Sequence, residues 1–291
     1  MKNSKIITGL VLLITIFSAI ATFIGITSNA GPGEYDYMSI RGENVTIYGR
    51  GLYQHMSADV AIQGIAQDYV TLFIGIPLLL FALFLFRKNN IKGLFLLSGI
   101  LMYFLVTYLF YTAMGMYNIM FLVYLVLLCF SFFAFVLSLF CYNITEIKPM
   151  FSSEKFIRYS GLFLVINSVM VAILWLGIVI PPLLDGSIYP KELQHYTTLI
   201  VQGFDLGLLL PIGIVSGVLA LKKSGYGYLF TTINLIFLSI LMAALTSKIL
   251  FMANAGYNVI PVIFIMPTIC LISAFLSFFI LKKINVNPGK I

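Results

Sequence analysis

The sequence predicts an all-α, polytopic transmembrane bundle of about eight helices, and three observations carry that expectation. Of the 291 residues, 61% are hydrophobic and 9% are charged, whereas soluble domains carry roughly 25% charged residues. Apolar runs of about 17–25 residues, long enough to cross a ~30 Å hydrocarbon core, recur along the whole chain. Lys and Arg between those runs fall almost entirely on one side of the implied membrane. A soluble protein of this size could not hide so much apolar surface, because exposed patches beyond a few hundred Å² associate. Lipid is the solvent that suits this composition, and residues 1–291 read as one transmembrane domain.

The first run, about 6–27, follows Met1-Lys2-Asn3-Ser4-Lys5 and so begins like a signal peptide. At roughly 20 residues it is longer than a signal core of 7–15. It is expected to be retained as a helix, although Ser28-Asn29-Ala30 has the form of a cleavage site. The segment 28–67 that follows is the one sizeable extracytoplasmic piece. Gly31-Pro32-Gly33 opens it as a turn, and Tyr35 to Ile40 and Asn44 to Tyr48 are strand-like around Arg41-Gly42-Glu43. That pattern predicts a β-hairpin. Ser57 suits the N-cap of a helix leading into the second span.

The remaining spans are expected at about 68–86, 92–114, 118–141, 159–181, 197–221, 227–252 and 258–281, with short connections. One side of the membrane then receives Lys2, Lys5, Arg87, Lys88, Lys92, Lys148, Lys155, Arg158, Lys222, Lys223, Lys282, Lys283 and Lys290, and the other only Arg41, Arg50 and Lys191. The positive-inside rule places both termini in the cytoplasm, in agreement with an even number of spans. The net charge of +7 is therefore a topology signal and not the mark of a nucleic-acid partner. The second helix, with Pro77 and Arg87-Lys88 followed by Gly93, resembles the sixth, with Pro211 and Lys222-Lys223 followed by Gly225 and Gly227. This suggests a weak 4+4 repeat, 1–150 and 151–291, related by an axis along the membrane normal.

An ionisable residue inside a span costs roughly 2.5–3.5 kcal/mol on insertion scales, so it marks a candidate site. Two such residues stand out, Asp205 in the sixth helix and Lys248 in the seventh. At 1.5 Å rise per residue they lie ~12 Å and ~8 Å from the outer helix ends. Antiparallel neighbours can bring such residues together as a pair. His195, Thr198, Gln202 and Asp205 recur at spacings that fall within about 80° of one another on a helix. They predict a polar stripe descending from the outer surface. Gly203 and Gly207, like Gly213 and Gly217, offer close helix packing, and Pro211 frees the carbonyl of Gly207. Tyr108 and Tyr111 add polar groups near the outer end of the third helix, with Trp175 on the fifth. The candidate ligand-binding residues are thus His195, Thr198, Gln202, Asp205, Lys248, Tyr108 and Tyr111.

No catalytic motif is present: no HExxH, Walker A loop, GxSxG elbow or GxGxxG. Two histidines, His55 and His195, and the cysteines Cys129, Cys141 and Cys270 offer no metal-ligand spacing, so no metal or cofactor is expected. There is no arginine ladder for voltage sensing and no potassium filter sequence. Gln67-Asp68-Tyr69-Val70-Thr71-Leu72, Tyr117-Asn118-Ile119-Met120-Phe121-Leu122-Val123-Tyr124 and His195-Tyr196-Thr197-Thr198 with Gln202 and Asp205-Leu206-Gly207 resemble segments of an uncharacterised family of prokaryotic multi-pass membrane proteins. The resemblance implies about eight helices in a prokaryotic plasma membrane and supplies no chemistry.

The sequence therefore points first to binding or transport of a small or amphipathic molecule, a small-molecule or lipid ligand, through an outward-facing intramembrane pocket. An accessory or structural subunit that binds a protein partner is the alternative. A lipid-modifying enzyme using His195 and Asp205 is the third reading.

Overall fold

A computed structural model describes residues 3–285; Lys2 and Lys290 of the charge count lie outside them. Eight helices are long and apolar enough to cross a membrane: α1 Ser4–Thr27, α2 Ala58–Arg87, α3 Ile91–Ala113, α4 Phe121–Leu139, α5 Glu154–Leu184, α6 Ile200–Leu221, α7 Gly225–Asn254 and α8 Val262–Lys282. The chain is an integral, multi-pass membrane protein built as an all-α bundle. A two-stranded hairpin, β1 Tyr35–Met38 and β2 Asn44–Ile47, stands between α1 and α2. Its side is called the outer face below.

Helices α3 and α7 run through the middle. They touch where Gly99 leaves room for Ile233 and Ile236 of α7. Leu94, Leu97, Ile100, Leu101 and Phe104 of α3 are all fully buried. Lipid tails are as apolar as these side chains, so burial alone does not hold such a bundle together; close approach and buried hydrogen bonds do. Gly161 of α5 lies against the backbone of Gly217 of α6, and Gly213 of α6 faces Ser168. The Gly213–Gly217 pair thus packs as expected, whereas Gly203 and Gly207 have no neighbour within 4 Å at the place of a missing Cβ. Both border open space, Gly203 in a groove it shares with Val179 and Leu183 of α5.

Pro211, expected to disturb its helix, does so, and Pro77 acts in the same way. Thr71–Gly75 forms a π-helical turn ahead of Pro77, and Asp205–Leu209 forms one ahead of Pro211. Proline donates no hydrogen bond and its ring crowds the preceding turn, and a wider turn relieves both problems. Each helix then ends on a lysine, Lys88 or Lys222, followed by a left-handed residue, Asn89 (φ 54°) or Lys223 (φ 58°). Next come a cap, Asn90 or Ser224, and a glycine, Gly93 or Gly227, whose backbone rests on the helix before it.

The hairpin pairs Tyr35 with Ile47, Asp36 with Thr46, Tyr37 with Val45 and Met38 with Asn44. Gly42 takes φ 82° at the turn, a conformation that costs a side chain but not glycine. Arg41 anchors the hairpin to the segment before α6. Its guanidinium donates to the carbonyls of Gln194 (3.2 Å) and Tyr196 (2.9 Å) and lies 5.2 Å from the Tyr189 ring centre. Hydrogen bonds from a charged donor contribute about 1.5–3 kcal/mol each when shielded. Arg41→Ala is expected to raise amide exchange at Gln194 and Tyr196 about tenfold or more, read by hydrogen–deuterium exchange. Unchanged exchange there would show that the hairpin does not hold this segment.

Candidate functional site

Helix α2 begins ten residues before the expected start, at Ala58, and Ser57 occupies its N-cap position. That shift puts Asp68, read from sequence as an end residue, inside a span and almost wholly buried, at 1% exposure. Its carboxylate accepts a hydrogen bond from the Tyr53 hydroxyl at 2.5 Å and from the Tyr111 hydroxyl at 2.9 Å. Gly25 of α1 closes the third side, for a Cβ there would run into the Asp68 carboxylate. Burial, and then the neighbouring Asp68 charge, hold the Tyr53 phenol well above its ordinary pKa. Tyr53 is therefore a dependable donor. Gln67, the residue before Asp68, donates to the Tyr103 hydroxyl at 2.8 Å, and Thr71, one turn further along α2, is 2.8 Å from the same oxygen. The two helices are thus joined by i, i+4 polar faces, Gln67 and Thr71 on one and Tyr103 and Thr107 on the other.

Above this network lies a cavity of about 240 Å³ enclosed by α2, α3, α5, α6 and α7, with Tyr53 and Met56 from the outer segment. Its walls are mostly apolar: Met56, Val60, Val106, Phe110, Met114, Val201, Leu209, Leu241 and Leu245. Among them stand Gln63, Gln67, Thr107, Tyr111, Trp175, Asp205 and Lys248. Asp205 accepts a hydrogen bond from the Trp175 indole at 2.8 Å. Lys248 is partly buried and sits in the field of Asp205 and, secondarily, of Asp68. It forms no ion pair with either. Among the described residues the one pair within 4 Å is Lys223–Glu154, at 2.6 Å on the opposite face. The expected Asp205–Lys248 bridge is thus a shared cavity and not a contact, because the indole occupies Asp205 and the cavity separates α6 from α7.

The expected polar stripe is not formed. Residues 194–199 are not helical: Gln194 has φ 49° and α6 starts only at Ile200. The segment is diverted by its docking on the outer loop, where Arg41 holds it and the Tyr196 hydroxyl lies 3.2 Å from both the amide and the hydroxyl of Ser57. His195 consequently sits outside the cavity, its Nε2 3.1 Å from the carbonyl of His55 and its ring against Tyr37 and Tyr196. Thr198 and Gln202 line a separate outer groove of about 390 Å³ with Leu183, Ile188 and Tyr189. Tyr108 is fully buried between Phe104, Tyr111 and Tyr124 and does not reach the cavity. Of the seven sequence candidates, Asp205, Lys248 and Tyr111 come together. Tyr53, Gln63 and Gln67 also line the cavity, and Asp68 holds Tyr53 and Tyr111 from behind; for Gln63, Gln67 and Asp68 the N-cap at Ser57 is the signal in the sequence. Among the described residues no group of three His, Cys, Asp or Glu is placed to hold a metal. No known protein family, curated protein or solved structure matches the chain.

Proposed function

We propose that the protein binds or transports a small amphipathic molecule through the cavity beneath the outer hairpin. The observation that carries this reading is the Lys248 ammonium, which lines an apolar-walled cavity without a counter-ion in contact. A bare charge at this depth is costly, and a ligand group of opposite sign offsets that cost. The matched π turns and helix-to-helix turns of α2–α3 and α6–α7 support two four-helix halves, an organisation that transporters use to alternate access around a central site. The resemblance to prokaryotic multi-pass proteins, with the lysine-rich inner face, supports a prokaryotic plasma membrane as its location. His195 lies outside the cavity that Asp205 lines, so the lipid-modifying reading loses its acid–base pair.

The test is mass spectrometry of small molecules that co-purify with the intact protein. Wild type is expected to retain a species that Asp205→Asn loses while thermal unfolding of the two proteins is alike. Identical retention by a well-folded Asp205→Asn protein would overturn the reading. An accessory role draws on one feature, the apolar hairpin tip, where Met38 is 67% and Ile40 90% exposed. A stoichiometric protein partner in mild detergent would favour it.

A further inference from the structure

Beside the polar cavity lies a second hollow of about 540 Å³, walled by α3, α4 and α6. The two adjoin, because Val106 and Leu209 line both. The second hollow is apolar, and its rim is open: Phe132 and Leu208 are 47% and 43% exposed on the lipid-facing side. It also descends. Met102 on α3, Phe135 on α4 and Ile212 on α6 all lie further from the outer helix ends than the shared residues Val106 and Leu209 or the cavity acid Asp205. A polar chamber near the outer face that continues into an apolar groove toward the midplane has the polarity of an outer-leaflet lipid.

The volumes and charges narrow the class. At about 240 Å³ the polar cavity is smaller than the roughly 300–1,000 Å³ of sites that enclose a whole drug-sized ligand. It has room for a headgroup, with the rest of the molecule elsewhere. Asp205 and Lys248 both line it and are held more than 4 Å apart. An anionic headgroup would meet Asp205 and a cationic one Lys248. A headgroup that carries both signs answers both. We propose that cavity and groove together hold one zwitterionic phospholipid. Its ammonium faces Asp205, its phosphate faces Lys248, and an acyl chain passes Val106 and Leu209 into the groove. This assignment rests on the reading of the cavity as a ligand site.

Trp175 is the single tryptophan of the chain and touches Asp205, so its emission reports on the cavity alone. Full-length protein in detergent is titrated with dihexanoyl phosphatidylethanolamine, dihexanoyl phosphatidylglycerol and chain-free phosphoethanolamine. The expected result is a saturable change with the ethanolamine lipid and affinities about tenfold weaker or more for the other two, the loss of one charge-assisted contact or of the buried chain. Cys129→Phe, or Leu208→Phe should the first not fold, fills the groove. Either is expected to weaken the lipid about tenfold while leaving phosphoethanolamine unchanged. Equal affinity for both lipids would overturn the zwitterion assignment. Equal affinity for lipid and phosphoethanolamine, with silent groove variants, would overturn the chain assignment but leave the cavity as a site for a soluble molecule. No saturable response to any of the three would overturn the lipid assignment, while co-purification with Asp205→Asn decides the broader reading independently.

Discussion

A Gly25→Ala protein is expected to lose several kcal/mol of stability, although it gains a better helix former in the last turn of α1. The new methyl group would occupy the position of the Asp68 carboxylate. Something must then move, and the neighbours allow little movement, since α1 carries the fully buried Ile7, Val11 and Ile14 on the same side. Overpacking of this kind costs about 1–3 kcal/mol. Displacing the carboxylate also takes the acceptor from the Tyr53 hydroxyl, at about 1–3 kcal/mol for a buried group, and leaves the Tyr111 hydroxyl only the Gly64 carbonyl at 3.3 Å. Gly9→Ala in the same helix is the control, because no atom lies within 4 Å of the Cβ position there. It should be neutral or slightly stabilising. Thermal unfolding in detergent reads both. The double variant Gly25→Ala/Asp68→Ala removes the clash but still deprives the Tyr53 hydroxyl of its acceptor, so the two single effects should not add. Strict additivity would mean that Gly25 and Asp68 are not in contact.

The membrane spans were legible because lipid imposes a length and a composition that no other environment requires. The hairpin was legible too, since its turn residues and alternation act locally. The errors came where a distant contact decided a local conformation. Residues 194–199 have acceptable helical spacing. Their conformation is instead settled by Arg41, more than a hundred positions earlier in the chain, and by the seat of Tyr196 on Ser57. Asp68 was misplaced for the opposite reason. The local signal, a cap at Ser57, marks the true helix start, yet the polar character of Gln67-Asp68 has the look of a span's end. A carboxylate with two phenol donors is not polar surface but part of the interior. Asp205 and Lys248 were found because their cost in lipid is independent of their neighbours. Their partners, Trp175 for one and none in contact for the other, could come only from the structure.

Lys248 provides the sharper test of function, because the structural and functional roles predict opposite signs. If Lys248 served the fold as half of an ion pair, Lys248→Met would strand Asp205 and destabilise the protein by about 3–5 kcal/mol. The observed geometry gives the other expectation. Asp205 keeps its Trp175 hydrogen bond at 2.8 Å in any case, and Lys248 has no ion pair to lose. Methionine is flexible and close to lysine in length, and it suits a wall already formed by Leu241 and Leu245. Lys248→Met is therefore expected to leave thermal stability unchanged or to raise it. Retention of the co-purifying ligand should fall about thirtyfold or more, the consequence of removing a desolvated charge contact worth at least ~2 kcal/mol. Trp175→Phe provides the complementary case. It removes the indole donor and strands Asp205, so it should lower stability and retention together. A Lys248→Met protein that unfolds easily would assign the lysine to the fold, and one that is stable and still retains its ligand would remove it from the site. A protein that gains stability while losing its ligand is the outcome that follows from an ammonium left without a counter-ion in the cavity wall, since binding sites commonly hold charges that folding alone would not favour.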